Sequence, residues 1–237
     1  MLVLEETPTS NRDRPAARRA RGVVPQEDKR EGILKVAERL FAKQGYANTT
    51  IEQIADQLGV TKPYVYYYFS SKQEIFETLS WKPTVACFSA MDFAPDDQRP
   101  AHIKVSEGLE RLVRTTLDHH PSAFFPYREP QVYTPEYSAE QKRIANHFYD
   151  QLCALMVQAR DDGMLDFKDP KVTALAACGV VGFLFYWYRP DGRLSREEIV
   201  SELTDAACRA IGLRRRKRPS SRSDHGCETS NPKARKT

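Results

Sequence analysis

The sequence predicts an all-α protein in two parts: an N-terminal three-helix domain holding a helix-turn-helix, and a larger C-terminal helical domain for ligand binding and dimerisation. Three observations carry this. Apolar residues recur at helical spacing, as in Ile33, Val36, Ala37, Leu40 and Phe41. The run from Thr49 to Lys72, TTIEQIADQLGVTKPYVYYYFSSK, contains two short helical patterns joined by a glycine turn. Near the C-terminus, the almost wholly apolar VTALAACGVVGFLFYWY is followed by a second, serine-capped amphipathic helix.

The chain opens with a polar stretch, residues 1–26, that contains three prolines and no sustained helical period. It reads as a disordered basic arm. Its Arg12, Arg14, Arg18, Arg19 and Arg21 suit either a minor-groove arm or a solubilising tail. With no apolar core, it is not a signal peptide. The first helix is expected from about Gln26 to Gln44, because the stripe begun by Ile33 ends at Gly45. Gly32 lies inside that helix, at some cost that the strength of the pattern outweighs.

In the next segment Thr50 and Gln53 stand at capping-box spacing, and Ile51, Ile54, Ala55 and Leu58 form one apolar face. Gly59 suits the left-handed residue that closes a helix. Thr61 is placed to cap a second short helix, and Pro63 is tolerated in its first turn. That helix carries Tyr64, Tyr66, Tyr67 and Tyr68, while Val65 and Phe69 share an inward face with Ile54 and Leu58. Outward-facing phenols suit phosphate oxygens and thymine methyl groups; the plainer alternative is that two of them pack against the domain. Ser71 and Glu74 repeat the capping-box spacing and open a further helix, whose first amides, with Lys72, suit a phosphate.

These residues carry a resemblance. The run from Ile33 to Leu79 resembles the DNA-binding domain of the TetR family of transcriptional repressors, through ILKVAERLFAKQGY, TTIEQIADQLGVT and YVYYYFSSKQEIF. After its second helix that family shows small–Lys–Gly–small–Leu–Tyr–aromatic–His–Phe–x–x–Lys. The same places here hold Thr61, Lys62, Pro63, Tyr64, Val65, Tyr66, Tyr67, Tyr68, Phe69, Ser70, Ser71 and Lys72. The resemblance implies that Tyr64 and Tyr66 contact phosphates, that Lys62 and Tyr67 face bases, and that Lys72 holds backbone. Thr50, Thr61 and Tyr68 complete the candidate DNA-binding set. The chain departs from the pattern at Tyr64, where a small residue is usual, and at Tyr68, where histidine is common.

The fourth helix is expected to run from Ser71 past Trp81 towards Phe93, with Pro83 as a possible kink. By resemblance it is the connector between effector and DNA. The polar loop APDDQRP, 94–100, separates it from a fifth helix spanning about Ala101 to His120. His119 and His120 at that helix end suggest favourable positive charge. Residues 122–136, SAFFPYREPQVYTPE, read as a short helix and a loop; Tyr137 to Asp162 is a long helix closed by Gly163. Asp169 followed by Pro170 marks the next helix start. The apolar run Val172–Tyr188 is near the short limit of a membrane span, but it stands in a polar chain and is read as buried inside protein. The last helix opens on the Ser195–Glu198 capping box. These two helices are not both expected to be satisfied within one small core, which points to a two-fold four-helix homodimer interface. The tail from 213 to 237 is basic and read as disordered. The whole divides into an arm (1–26), a helix-turn-helix domain (27–72), an effector and dimerisation domain (73–212) and a tail (213–237).

Charge follows the same division. Residues 1–21 contribute +2 and 212–237 contribute +7, which leaves 22–211 at −5 within a total of +4. The basicity therefore lies in the tails, and DNA binding is argued from the helix-turn-helix instead. Five scattered cysteines, Cys87, Cys153, Cys178, Cys208 and Cys227, lack CxxC or Cys/His ligand spacing, which fits a reducing cytoplasm and no metal.

No GxSxG, P-loop, HExxH or dinucleotide fingerprint occurs, so the second domain is expected to bind rather than react, and no cofactor is expected. Its aromatic density supplies candidate effector residues Phe88, Phe125, Tyr133, Phe148, Phe183, Tyr186 and Trp187; Arg128 or Arg143 would meet phosphates. The segment YWYRPDG (186–192) before a serine-capped helix resembles the subset of the family that controls fatty-acid or steroid-ring catabolism and responds to acyl-CoA thioesters. The expected protein is a cytoplasmic homodimeric repressor, released from a palindromic operator by a small hydrophobic effector. That effector is a CoA thioester or another apolar or aromatic molecule; a protein with no effector is the third alternative. The rival functions are an activator or global regulator with the same DNA-binding domain and, further off, a helical carrier or enzyme.

Overall fold

The computed structural model describes residues 26–213, and the expectations for the N-terminal arm, the basic tail and Cys227 lie outside them. Among the described residues all regular structure is helical. The helices are α1 (Gln26–Gln44), α2 (Ile51–Leu58), α3 (Lys62–Tyr68), α4 (Lys72–Phe88) and α5 (Ala101–Asp118). They are followed by the short α6 (Phe125–Arg128), α7 (Pro135–Asp161), α8 (Pro170–Gly182), the short α9 (Leu184–Trp187) and α10 (Arg196–Ala210).

Two hydrophobic cores organise them. The first joins Ile33, Val36, Ala37, Leu40 and Phe41 of α1 to Ile51, Ile54 and Ala55 of α2, then to Val65 and Phe69. It also takes in Ile75 and Phe76 from the start of α4 and, from far along the chain, Phe125. Phe125 stacks on Phe76 at 4.9 Å and meets Phe41 edge-on at 6.2 Å. The second core fills the space between α5, α7, α8 and α10, around Leu109, Phe148, Leu152, Met156 and Cys208. At Gly108 α5 comes so near the end of α4 that a Cβ there would lie 2.3 Å from the Met91 sulfur. Val105 and Leu112, one turn away on either side, are buried in the same core as Met91.

Capping sets the helix starts. Thr50 Oγ1 accepts from the Gln53 amide and the Gln53 side chain accepts from the Thr50 amide, a complete capping box; Ser195 and Glu198 form another. At Ser71 only half of the expected box forms. Its hydroxyl accepts from the Glu74 amide, but the Glu74 carboxylate is drawn to the amide and hydroxyl of Ser70, each at 2.6 Å. Thr61 occupies the N-cap of α3 without a side-chain hydrogen bond. Pro83 lies buried within α4, which continues through it to Phe88 and stops short of the expected Phe93.

Three expectations are corrected. The apolar run is not one continuous helix: α8 ends at Gly182, and α9 begins after Phe183. Nor is it enclosed on all sides. Ala174, Ala177, Cys178 and Val181 are buried, whereas Val172 and Leu175 are 66% and 48% exposed. By contrast α10 is satisfied within the chain, since Ile199, Val200, Ala207, Cys208 and Ile211 are buried against α5 and α8. Of these two helices, α8 keeps an open apolar face. At the end of α5, His120 lies edge-on to Phe124 and Tyr188. Burial, helped by Arg128 and Arg189, pushes its pKa down, so this imidazole is held neutral rather than carrying the positive charge expected at that helix end.

Candidate DNA-binding helix and effector cavity

The helix-turn-helix is held from below. Val65 and Phe69 are buried, and the Arg30 guanidinium lies 4.5 Å from the Phe69 ring centre. Gly59 turns the chain between α2 and α3 at φ 68°, a left-handed conformation that disfavours a side chain. With its inward face pinned, α3 presents the rest of its surface outward. Tyr67 is 73% exposed and Tyr66 46%. Tyr64 and Tyr68 are half-buried and pack on each other at 5.2 Å, and Tyr67 meets Tyr68 edge-on at 5.0 Å. The alternatives for the tyrosines are thus divided between them: two rings brace the helix base and two project from it.

The remaining candidates are placed differently. Thr50, Thr61 and Lys62 are exposed on the same motif. The Lys62 ammonium is paired with Glu52 of α2 and lies 5.8 Å from the Tyr66 ring. Lys72 is turned the other way. Its Nζ donates to the backbone oxygens of Tyr46 and Thr49, both at 2.7 Å, and sits 4.1 Å from the Tyr46 ring. Desolvation pushes its pKa down, against the pull of Glu129. Two of its three donors thus close the loop between α1 and α2, so that its part in holding phosphate would be played through the loop it fixes.

Glu52 has a consequence of its own. A carboxylate beside the candidate base-facing lysine must be displaced or screened when a polyanion arrives. Replacing Glu52 by glutamine removes that charge and frees the ammonium. Operator affinity is expected to rise by roughly twofold to tenfold, the scale of an exposed ion pair, with a steeper dependence on salt. A gel-shift titration across salt concentrations measures both, and unchanged affinity would place Lys62 outside the contact.

The C-terminal body holds a cavity of about 290 Å³ between α4, α5, α7, α8 and the segment 123–127. Phe88 and Phe148 of the expected effector set line it, 5.6 Å apart. The other members do not. Phe125 belongs to the first core, because α6 turns it towards Phe76. Tyr133 stacks on Tyr137 at 4.5 Å and its hydroxyl meets Ser80 Oγ at 2.8 Å, filling the junction between α4 and α7. Arg128 is exposed, with its guanidinium 6.0 Å from the Phe124 ring. Arg143 faces solvent, paired with Glu140 one turn earlier on α7. Phe183, Tyr186 and Trp187 lie exposed around the break after α8.

Residues that the sequence did not single out complete the cavity wall: Thr84 and Cys87 on α4, Leu112 and Thr116 on α5, Ala123, Phe124, Pro126 and Tyr127, then Gln141, Tyr149, Cys178, Val181 and Gly182. Cys178 meets the Tyr149 hydroxyl, and burial pushes its thiol up to about 12; the Cys87 thiol and the Tyr149 phenol are shifted upwards by the same cause. Among the described residues no cluster of His, Cys, Asp and Glu is placed to hold a metal ion.

Comparison with known proteins agrees with both halves of the chain. The family profile described as bacterial regulatory proteins, tetR family, matches residues 33–79; the tetracyclin repressor-like C-terminal domain matches 98–211. The HTH-type transcriptional activator FasR of Mycolicibacterium smegmatis is 25% identical over 206 residues, 79% of this chain and 85% of that protein. A TetR/AcrR-family regulator from Thermobifida fusca superposes with a TM-score of 0.60 at 29% identity, covering 79% of this chain and all of that one. AibR, solved with isovaleryl coenzyme A and operator DNA, superposes with a TM-score of 0.63 at 21% identity, over 75% of this chain and 97% of its own.

Proposed function

This chain belongs to the tetR family of bacterial regulatory proteins, DNA-binding transcriptional regulators, and we propose that it is a cytoplasmic homodimeric repressor released from a palindromic operator by a small hydrophobic effector. The observation that carries the reading is α3. It is pinned by Val65 and Phe69 and carries Tyr66, Tyr67 and Lys62 exposed on its outward side. A helix so presented fits the major groove, with phenols on phosphates and on base edges. Two copies related by a two-fold axis read half-sites about one DNA turn, or a multiple, apart.

Release follows from the way the two cores share one segment. Phe124 and Pro126 line the cavity, while Phe125 between them is stacked in the core of the DNA-binding domain. Nearby, the Glu77 carboxylate accepts from the Thr134 amide at 2.6 Å and the Gln73 side chain donates to the Val132 carbonyl at 2.6 Å. An effector that shifts residues 123–127 therefore moves Phe125 against Phe76 and α4. It shifts the population towards dimers whose recognition helices no longer match the half-site spacing, and operator binding weakens effector binding by the same factor.

Gel shifts with DNA from upstream of the protein's own gene test this reading. A sequence-selective complex that is lost when either half-site is scrambled supports it; a carrier or enzyme would give no selective complex. The second reading, an activator with the same DNA contacts, is favoured by the description of FasR as an activator. In vitro transcription from the bound promoter separates the two by sign. For the effector, the AibR complex with isovaleryl coenzyme A brings in a CoA thioester as an alternative to an uncombined apolar molecule.

A further inference from the structure

The walls of the cavity carry no formal charge. Its polar groups are hydroxyls, thiols and one carboxamide: Thr84, Thr116, Tyr127, Tyr149, Gln141 and the two cysteines. No Lys, Arg, His, Asp or Glu is among the lining residues. The arginines close to lining residues in sequence are engaged elsewhere: Arg111 with Glu107, Arg114 with Glu110 and Glu197, and Arg143 with Glu140, while Arg128 lies 6.0 Å from the Phe124 ring centre and is not among the lining residues. Both thiols have shifted pKa values in the direction that keeps them neutral. An anion placed here would lose its water and gain no counter-charge, which costs several kcal/mol even after relaxation. Several of the polar groups are already engaged: Thr116 donates to the Leu112 carbonyl at 2.8 Å, and Tyr149 meets Cys178. Gln141 makes no hydrogen bond to a described residue and remains available to a ligand. The apolar walls are largely aromatic, from Phe88, Phe124 and Phe148, and favour offset or edge contacts with a ring. At interior packing density the volume admits roughly a dozen non-hydrogen atoms.

Resting on the reading of this cavity as an effector site, we infer that its ligand is an uncharged, mainly aromatic molecule of about that size, carrying one hydroxyl or carbonyl for Gln141. It is not a carboxylate, and not a CoA thioester, whose nucleotide portion is larger than the cavity and would bring phosphates to a wall without cations.

Three probes sharing one hydrocarbon separate the possibilities: 3-phenylpropan-1-ol, 3-phenylpropanoate and 3-phenylpropanoyl-CoA. Each is titrated calorimetrically into the full-length protein, into Ala123→Leu and, independently, into Cys178→Met. The two substitutions narrow the cavity from the 122–124 turn and from α8, so that a folding defect in one leaves the other to decide. The expected result is binding of the alcohol at least ~100-fold tighter than of either anionic probe, as the cost of an unpaired buried charge requires, with loss of that binding in the narrowed variants. Equal or tighter binding of the carboxylate or thioester, lost in the narrowed variants, would overturn the inference while leaving the effector site standing. Binding of any probe that the narrowed variants leave unchanged would overturn the effector reading of the cavity as well. Failure of all three to bind wild-type protein would overturn the proposed ligand class.

Discussion

Tyr67→Ala is expected to abolish measurable operator binding while leaving the dimer and its melting temperature almost unchanged. The separation of effects follows from where the ring lies. Tyr67 is 73% exposed, and its one ring neighbour is the edge of Tyr68. Truncation removes little buried area, and a surface change of this kind usually stays within about 0.5 kcal/mol of stability. At a DNA interface, by contrast, the ring and hydroxyl sit where base edges and phosphates are read. Loss of one good contact costs about 1–3 kcal/mol per half-site, so a two-fold dimer loses about 2–6 kcal/mol and affinity falls by roughly 30-fold to 10⁴-fold. Fluorescence anisotropy with labelled operator gives the affinity, and circular dichroism on melting gives the stability. Tyr67→Phe apportions the effect: if the hydroxyl matters, the phenylalanine variant loses a fraction of it; if the ring alone matters, it binds as wild type. Undiminished binding by Tyr67→Ala would remove α3 from the interface and the repressor reading with it.

Tyr66 and Tyr64 show how far such reasoning reaches in sequence. Both are tyrosines on one short helix, yet one projects and the other packs on Tyr68, and only the register set by Val65 and Phe69 separates them. That register was legible, as were the bounds of α1 from its stripe and Gly45, and the capping boxes at Thr50 and Ser195, because each is a local pattern with a local cause. The cavity was not legible in the same way. A void is defined by side chains that fail to meet across five segments, and nothing in the string SAFFPYR says that Phe124 lines a cavity while Phe125 enters a different core. Aromatic richness found Phe88 and Phe148 but also drew in Phe183, Tyr186 and Trp187, which share the composition and not the place. Arginine, sought as a phosphate partner, proved equally unspecific: Arg143 completes an i, i+3 pair on a solvated helix face.

The open face of α8 leads to the other large effect. Val172, Leu175, Ala176, Gly179 and Phe183 recur at i, i+3, i+4, i+7 and i+11 and are exposed, while Ala174, Ala177, Cys178 and Val181 on the other side of the same helix are buried. A stripe of that period is the seam of a helix pair, and its small residues Ala176 and Gly179 let two helices approach closely. The stretch Pro170–Trp187 has the length and composition to cross a membrane, but one side of it is integral to the second core, which a lipid-bound helix could not be without unmaking that core. In the proposed homodimer a second copy of the chain covers the other side with matched chemistry, since a two-fold axis sets the stripe against itself. Leu175→Asp places two carboxylates in that seam, one from each protomer, with the exposed Lys171, one turn earlier, as the nearest cation on the same face. Breaking a buried contact in this way costs about 3–5 kcal/mol. The side chain is already 48% exposed within one chain, so the protomer itself should fold as before. Sedimentation velocity should then find a monomer of unaltered helicity. Because the two recognition helices no longer bind as a linked pair, operator affinity should fall by roughly 10²- to 10⁴-fold. A dimer that survives the substitution would move the interface away from α8. A monomer that still bound the full operator tightly would show that one recognition helix suffices, and the argument from palindromy would fail while the contacts of Tyr67 stood.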